Sequence, residues 1–302
     1  MRHLSWILAA VLLGGCMNLD VFVFESKPAP ADADLMAKST VPKSLREEVY
    51  GPIKSADGTV VDAYLLQHED SDGTPAWRHA VGLLYLHGQS TNIETTVPRL
   101  DELWKLGYTV LAVDARGYGK TQGTATASGQ LADVEAARRY FEGRTDLGLS
   151  PDRVGIYGRS LGTLLAVALA AERSPKALVL ESPVLSIQSI IDQSLALDTP
   201  AHWYVDATMD AGANISKVTG ALLILHGLAD HYVPPSNGEK LHELATSANP
   251  NLLELVPGAD HDTVPCVSHT HAPVDNDCVD GFSKDYEGWV TSLIDTAFDV
   301  AQ

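Results

Sequence analysis

The chain reads as an α/β protein: a mainly parallel sheet with helices on both of its faces. Three observations predict this class. Short apolar runs recur at 81–86, 109–113, 154–157, 177–180, 221–225 and 252–256, the length of buried strands. Helical stretches at 97–106, 129–141, 161–172, 236–248 and 285–298 fall between or after them. The length of 302 residues allows one large α/β domain or two small ones, and 45% hydrophobic residues suffice for a full core. We assign one domain to residues 45–302.

The elements follow in order. Residues 48–54 and 59–67 form a predicted hairpin about Asp57-Gly58, a turn pair that accepts positive φ. Strand 81–86 runs into His87-Gly88-Gln89-Ser90-Thr91-Asn92 and then helix 97–106. Strand 109–113 leads into Asp114-Ala115-Arg116-Gly117-Tyr118-Gly119 and helix 129–141. Strand 154–157 is followed within a few residues by an alanine-rich helix, and strand 177–180 comes next. Between Ser182 and Lys217 the alternation breaks, so 182–217 is read as an insertion, helical over 187–197. His202, Trp203 and Tyr204 within it are aromatic candidates for substrate contact, with simple packing the favoured reading. Strand 221–225, helix 236–248, strand 252–256 and helix 285–298 complete the domain, without internal repeats.

The chemistry concentrates at strand ends. Gly158-Arg159-Ser160-Leu161-Gly162 places a serine between two glycines at a strand-to-helix turn. Such a turn holds the serine in strained backbone geometry and lifts its oxygen clear of the sheet, so the residues two before and two after must be small. An acid follows a later strand, in His226-Gly227-Leu228-Ala229-Asp230-His231-Tyr232-Val233-Pro234. A histidine follows the next strand, in Pro257-Gly258-Ala259-Asp260-His261-Asp262.

The order Ser…Asp…His at successive strand ends resembles the α/β-hydrolase superfamily, over roughly residue 45 to the C-terminus. The pattern around the acid is most similar to single-domain serine hydrolases carrying His-Gly-x-x-Asp-x-x-Val-Pro. The resemblance implies an α/β-hydrolase fold with a small cap at about 182–217. It implies Ser160 as nucleophile, His261 as base and Asp230 as the acid that orients it, ahead of Asp260 and Asp262. Backbone N–H groups of Gln89 and Leu161 would form the oxyanion hole, with Gly88 allowing close approach. His87 is read as shaping that loop, and Asp114 and Arg116 as bracing the neighbourhood.

The expected reaction is hydrolysis of a carboxylic ester or thioester through an acyl-enzyme, with a small-molecule or lipid acyl substrate and no cofactor. An acyltransferase or a peptidase would use the same triad. A silent envelope scaffold would be free to lose a triad member, and here all three stand. Two further motifs fail. Gly119-Lys120-Thr121 ends like a phosphate loop, but Asp114 stands where its first glycine belongs. His269, His271, Asp275 and Asp277 are loosely spaced for a metal, so no metal site is assigned.

The N-terminus carries a separate message. Met1-Arg2-His3, the apolar run 4–13 and Leu13-Gly14-Gly15-Cys16 resemble a bacterial lipoprotein signal. This implies a signal peptide over 1–15, a lipid on Cys16, a tether over 16–44 and an envelope location. Met17 in place of aspartate implies outer-membrane sorting in a Gram-negative host, on the periplasmic face. The two remaining cysteines, Cys266 and Cys278, then read as one disulfide of an exported protein. A formal net charge of −18 without a basic stripe argues against nucleic acid as a partner.

Overall fold

The computed structural model describes residues 26–28, 38–68, 76–194, 209–266 and 281–298. Cys16, the aromatic trio 202–204, His269, His271 and Cys278 lie outside the described residues.

Eight strands make one sheet. They are β1 (Arg46–Lys54), β2 (Val60–Leu66), β3 (Gly82–Leu86), β4 (Thr109–Asp114), β5 (Val154–Arg159), β6 (Ala177–Glu181), β7 (Ala221–Gly227) and β8 (Asn251–Val256). Their spatial order is β8-β7-β6-β5-β3-β4-β2-β1. Pairings of β2 with β1 and β4 are antiparallel, and all others are parallel. The predicted α/β class and its mainly parallel sheet are therefore correct.

The strand side chains alternate between two cores, as a period of two requires. Leu84, Leu86, Ile156, Leu180 and Ile224 face one core. It is closed by α2 (Ala127–Glu142), α3 (Gly162–Glu172) and α5 (Ser236–Leu244). Leu83, Tyr85, Tyr157, Val179 and Leu225 face the other, which is closed by α1 (Ile93–Lys105) and α6 (Lys284–Ala297). Helix α3 is apolar all round because the sheet, α2 and the segment 211–217 surround it. Among the described residues no helix is long and apolar enough to cross a membrane.

Two helices depart from the expected bounds. Helix α1 starts at Ile93, four residues before the predicted start, because Asn92 and Thr95 form a capping box and Pro98 is accommodated inside the helix. Helix α5 stops at Leu244, not at 248. There the Asn251 side-chain amide donates to the carbonyls of His242 (2.9 Å) and Ala245 (3.2 Å), supplying partners that another helical turn would have provided.

Part of the segment 16–44, expected to be a tether, lies on the domain. Lys27–Pro28 pairs in parallel with Tyr118–Gly119, and Lys27 O accepts from the Asn92 side chain at 3.3 Å. Ser39 and Thr40 donate hydroxyl hydrogen bonds to Asp101, and Val41 is buried. In the insertion, α4 (Ile187–Ser194) follows β6 as expected, while residues 195–208 lie outside the description.

The order of the strands positions the site. β4 lies on one side of β3 and β5 on the other, so the chain reverses its direction of travel at β3. Crevices at the carboxyl ends of strands around such a switch point are where open α/β sheets bind ligands. The loops after β3 and β5 meet there.

Candidate active site

Ser160 follows β5 with φ of 51°, a left-handed conformation rare for a residue with a side chain. The crowding predicted for the turn is visible at both glycines. A Cβ on Gly158 would stand 2.7 Å from Ala166 Cβ, and one on Gly162 would stand 2.3 Å from Leu86 O. Thr163 N–H donates to Ser160 O at 2.9 Å, which starts α3 directly after the turn.

Asp230 and His261 arrive from the ends of β7 and β8. His261 Nε2 lies 2.9 Å from Ser160 Oγ, and His261 Nδ1 lies 2.7 Å from Asp230 Oδ2. An ionised carboxylate only accepts, so Nδ1 carries the proton and Nε2 is left to accept from the serine hydroxyl. The three residues read from the sequence are thus brought together in one hydrogen-bonded chain. Asp230 is buried, and its other oxygen accepts the N–H groups of Tyr232 (2.9 Å) and Val233 (2.8 Å). Burial works to raise its carboxyl, yet hydrogen bonds from His226, His261 and Val233 hold it well below the usual carboxylate range.

The competing acids are used elsewhere. Asp260 Oδ1 accepts from Asp262 N–H, Thr263 N–H and the Thr263 hydroxyl, which folds the turn bearing His261. Asp262 pairs with Arg159. His226, to which sequence reading gave no role, is fully buried and donates from Nε2 to Val233 O at 2.8 Å. It therefore holds closed the turn that presents Asp230.

Gln89 and Leu161 line one apolar-walled pocket with Gly88, Tyr118 and Leu165. Among the described residues neither the Gln89 nor the Leu161 backbone N–H has a hydrogen-bond partner. Leu161 stands at the N-terminus of α3, where the helix dipole favours negative charge. A Cβ on Gly88 would lie 3.1 Å from Ser160 Cβ, so glycine lets the loop approach the serine. His87 pairs with Asp114 (2.9 Å), whose same oxygen accepts the Ile93 N–H (2.9 Å). That pairing fixes the loop from below, in line with the bracing expected of Asp114. Arg116 instead ties Asp57 to Asp133, away from the loop.

Sheet order, serine elbow and Ser-His-Asp chain together define an α/β-hydrolase. The chain belongs to the prolyl oligopeptidase family, whose sequence pattern matches residues 99–272, a span containing Ser160, Asp230 and His261. It is a serine hydrolase of that family. It is 30% identical over 226 residues to the uncharacterized protein YfhR of Escherichia coli K12, covering 71% of this chain and 77% of that protein. The fold is shared with the esterase Pf2001 of Pyrococcus furiosus, with a TM-score of 0.59 at 21% identity over 78% of this chain and 90% of that one. It is also shared with a puromycin-hydrolyzing peptidase of Mycobacterium tuberculosis, with a TM-score of 0.59 at 19% identity over 74% of this chain and 37% of that one.

Proposed function

We propose that the protein hydrolyses carboxylic esters or thioesters of small-molecule or lipid acyl groups through an acyl-enzyme on Ser160. His261 Nε2 takes the Ser160 proton as Oγ bonds to the substrate carbonyl carbon. The resulting oxyanion accepts from the Gln89 and Leu161 N–H groups. The tetrahedral species then expels the alcohol or thiol, which receives the proton from His261. Water repeats the sequence and releases the acid. Asp230 keeps Nδ1 protonated and stabilises the imidazolium formed in each half. The observation that carries this reading is the unbroken Asp230–His261–Ser160 chain at 2.7 and 2.9 Å.

Peptide hydrolysis is the second reading, favoured by the family itself. The likeness to the esterase Pf2001 spans 90% of that chain, and the likeness to the puromycin-hydrolyzing peptidase spans 37%, which supports the ester reading. The lipoprotein-like start supports an envelope location with a lipid on Cys16, and the exported setting supports a Cys266–Cys278 bond.

A panel of p-nitrophenyl esters of increasing acyl length, run beside matched peptide anilides, tests the choice. Saturable ester turnover with little anilide cleavage is expected. Anilide cleavage at a higher kcat/KM than any ester would transfer the assignment to peptides.

A further inference from the structure

Glu181 ends β6, and its carboxylate is fully buried beneath the site. Four side chains donate to it. Arg99 Nη1 reaches both oxygens at 2.7 and 2.8 Å, Arg159 Nε reaches one at 3.3 Å, and the Tyr286 hydroxyl reaches the other at 3.0 Å, beside that of Tyr157. Burial works to raise this carboxyl, but Arg99, Arg159 and the two phenol hydroxyls bring it below its ordinary value.

The same two guanidinium groups reach onward. Arg99 Nη2 donates to Asp262 O at 3.2 Å. Arg159 Nη2 donates to His261 O at 3.3 Å and to the Asp262 carboxylate. Ser182, next after Glu181 and held at φ of 46°, donates its hydroxyl to His261 O at 3.3 Å. On its other side Glu181 O accepts the Ser160 N–H at 2.9 Å. One residue thus grips the nucleophile through its backbone and the histidine turn through two arginines. The turn itself lies outside any strand or helix, so these links fix where its backbone stands.

Resting on the reading of Ser160 and His261 as nucleophile and base, we propose that Arg99 and Arg159, locked by Glu181, are positioning residues that set the reach of His261 Nε2 to Ser160 Oγ. A guanidinium can serve Glu181 and the turn at once because its donors form a fixed fork. A lysine in its place keeps the charge but lacks the fork.

The test compares Arg99→Lys, Arg159→Lys and Asp262→Asn with wild type. Asp262 has a largely exposed side chain, so its variant leaves the buried charges paired and guards against a failure of folding in the others. Each is assayed on a p-nitrophenyl ester well below its own melting temperature. The downfield proton resonance of His261 Nδ1–H is recorded alongside. Loss of about 1 Å in placement can cost on the order of 100-fold in rate. The arginine variants should lose about 10- to 100-fold in kcat with KM within about twofold, and Asp262→Asn about threefold in kcat. The Nδ1–H signal should broaden or shift in step. Folded Arg99→Lys and Asp262→Asn proteins with wild-type kcat and an unchanged resonance would overturn the inference. Wild type is treated in parallel with a fluorophosphonate. Labelling at Ser160 beside unaffected variants removes the positioning role alone, whereas an unlabelled wild type removes the underlying reading and the role with it.

Discussion

Asp230 divides its two oxygens between two imidazoles and its own turn: Oδ2 lies 2.7 Å from His261 Nδ1 and 3.4 Å from His226 Nε2, while Oδ1 accepts two backbone N–H groups. The carboxylate that orients the imidazole is thus itself oriented by the chain that presents it. Asp260, only one residue from His261, spends its carboxylate on the Thr263 turn.

These different partners predict different costs. Asp230→Asn should lower kcat by roughly 10⁴, because an amide at this position can favour the wrong imidazole tautomer. Asp260→Asn should cost less than about tenfold, acting only through the turn. Steady-state kinetics of the two purified variants decide the matter. A larger loss in Asp260→Asn than in Asp230→Asn would reverse the assignment.

A second acid predicts a pH effect on stability. Asp62 is fully buried beside Asp114 across the β2–β4 pairing, and among the described residues its Oδ1 has no hydrogen-bond partner. Burial first, and then the Asp114 carboxylate, push its carboxyl up to about 7. The unfolded value is roughly 3.9. Below that value both states hold the proton and the charge of Asp62 costs nothing. Between the two values only the folded state keeps it, so stability falls as pH rises, and above the folded value the whole penalty is present. Asp62→Asn should therefore be more stable than wild type by roughly 2–4 kcal/mol at pH 8.5, with the difference shrinking toward pH 4.5. Urea unfolding of both proteins across this range measures it. A difference independent of pH would contradict the account.

The N-terminal reading has its own measurement. Intact mass of the protein from its native host should show a mature chain beginning at Cys16 with two or three acyl groups, and Cys16→Ser should lose them. A chain of unmodified mass beginning elsewhere would remove the anchor.

Much of this was legible in the sequence because local chemistry determined it. The serine turn shows as a short glycine-flanked motif, although the atoms that exclude a side chain at Gly162 belong to Leu86 and His87 at the end of another strand, and the sheet assembles from runs whose burial is written in their composition. The three residues of the Asp230–His261–Ser160 chain could be picked out because each follows its strand within a few residues. What stayed hidden depends on distant partners. The end of α5 is determined by Asn251, several residues beyond the helix. Arg159 stands in the serine motif with no role of its own, because its contacts are with Glu181, 22 residues on, and Asp262, 103 residues on. Arg99 falls within the predicted helix 97–106, and no local signal connects it to β6. His226 lay inside the very motif that pointed to Asp230, and burial alone separates its role from that of an ordinary loop histidine.

The central claim is that Ser160 is the nucleophile, and covalent labelling tests it most directly. The wild-type protein is treated with a fluorophosphonate, digested and mapped by mass spectrometry, beside Ser160→Ala and His261→Ala. One adduct on Ser160 is expected in wild type, none in Ser160→Ala, and a labelling rate lowered by roughly 10⁴ or more in His261→Ala. An adduct on another residue, or ester turnover retained by a folded Ser160→Ala protein, would contradict the account.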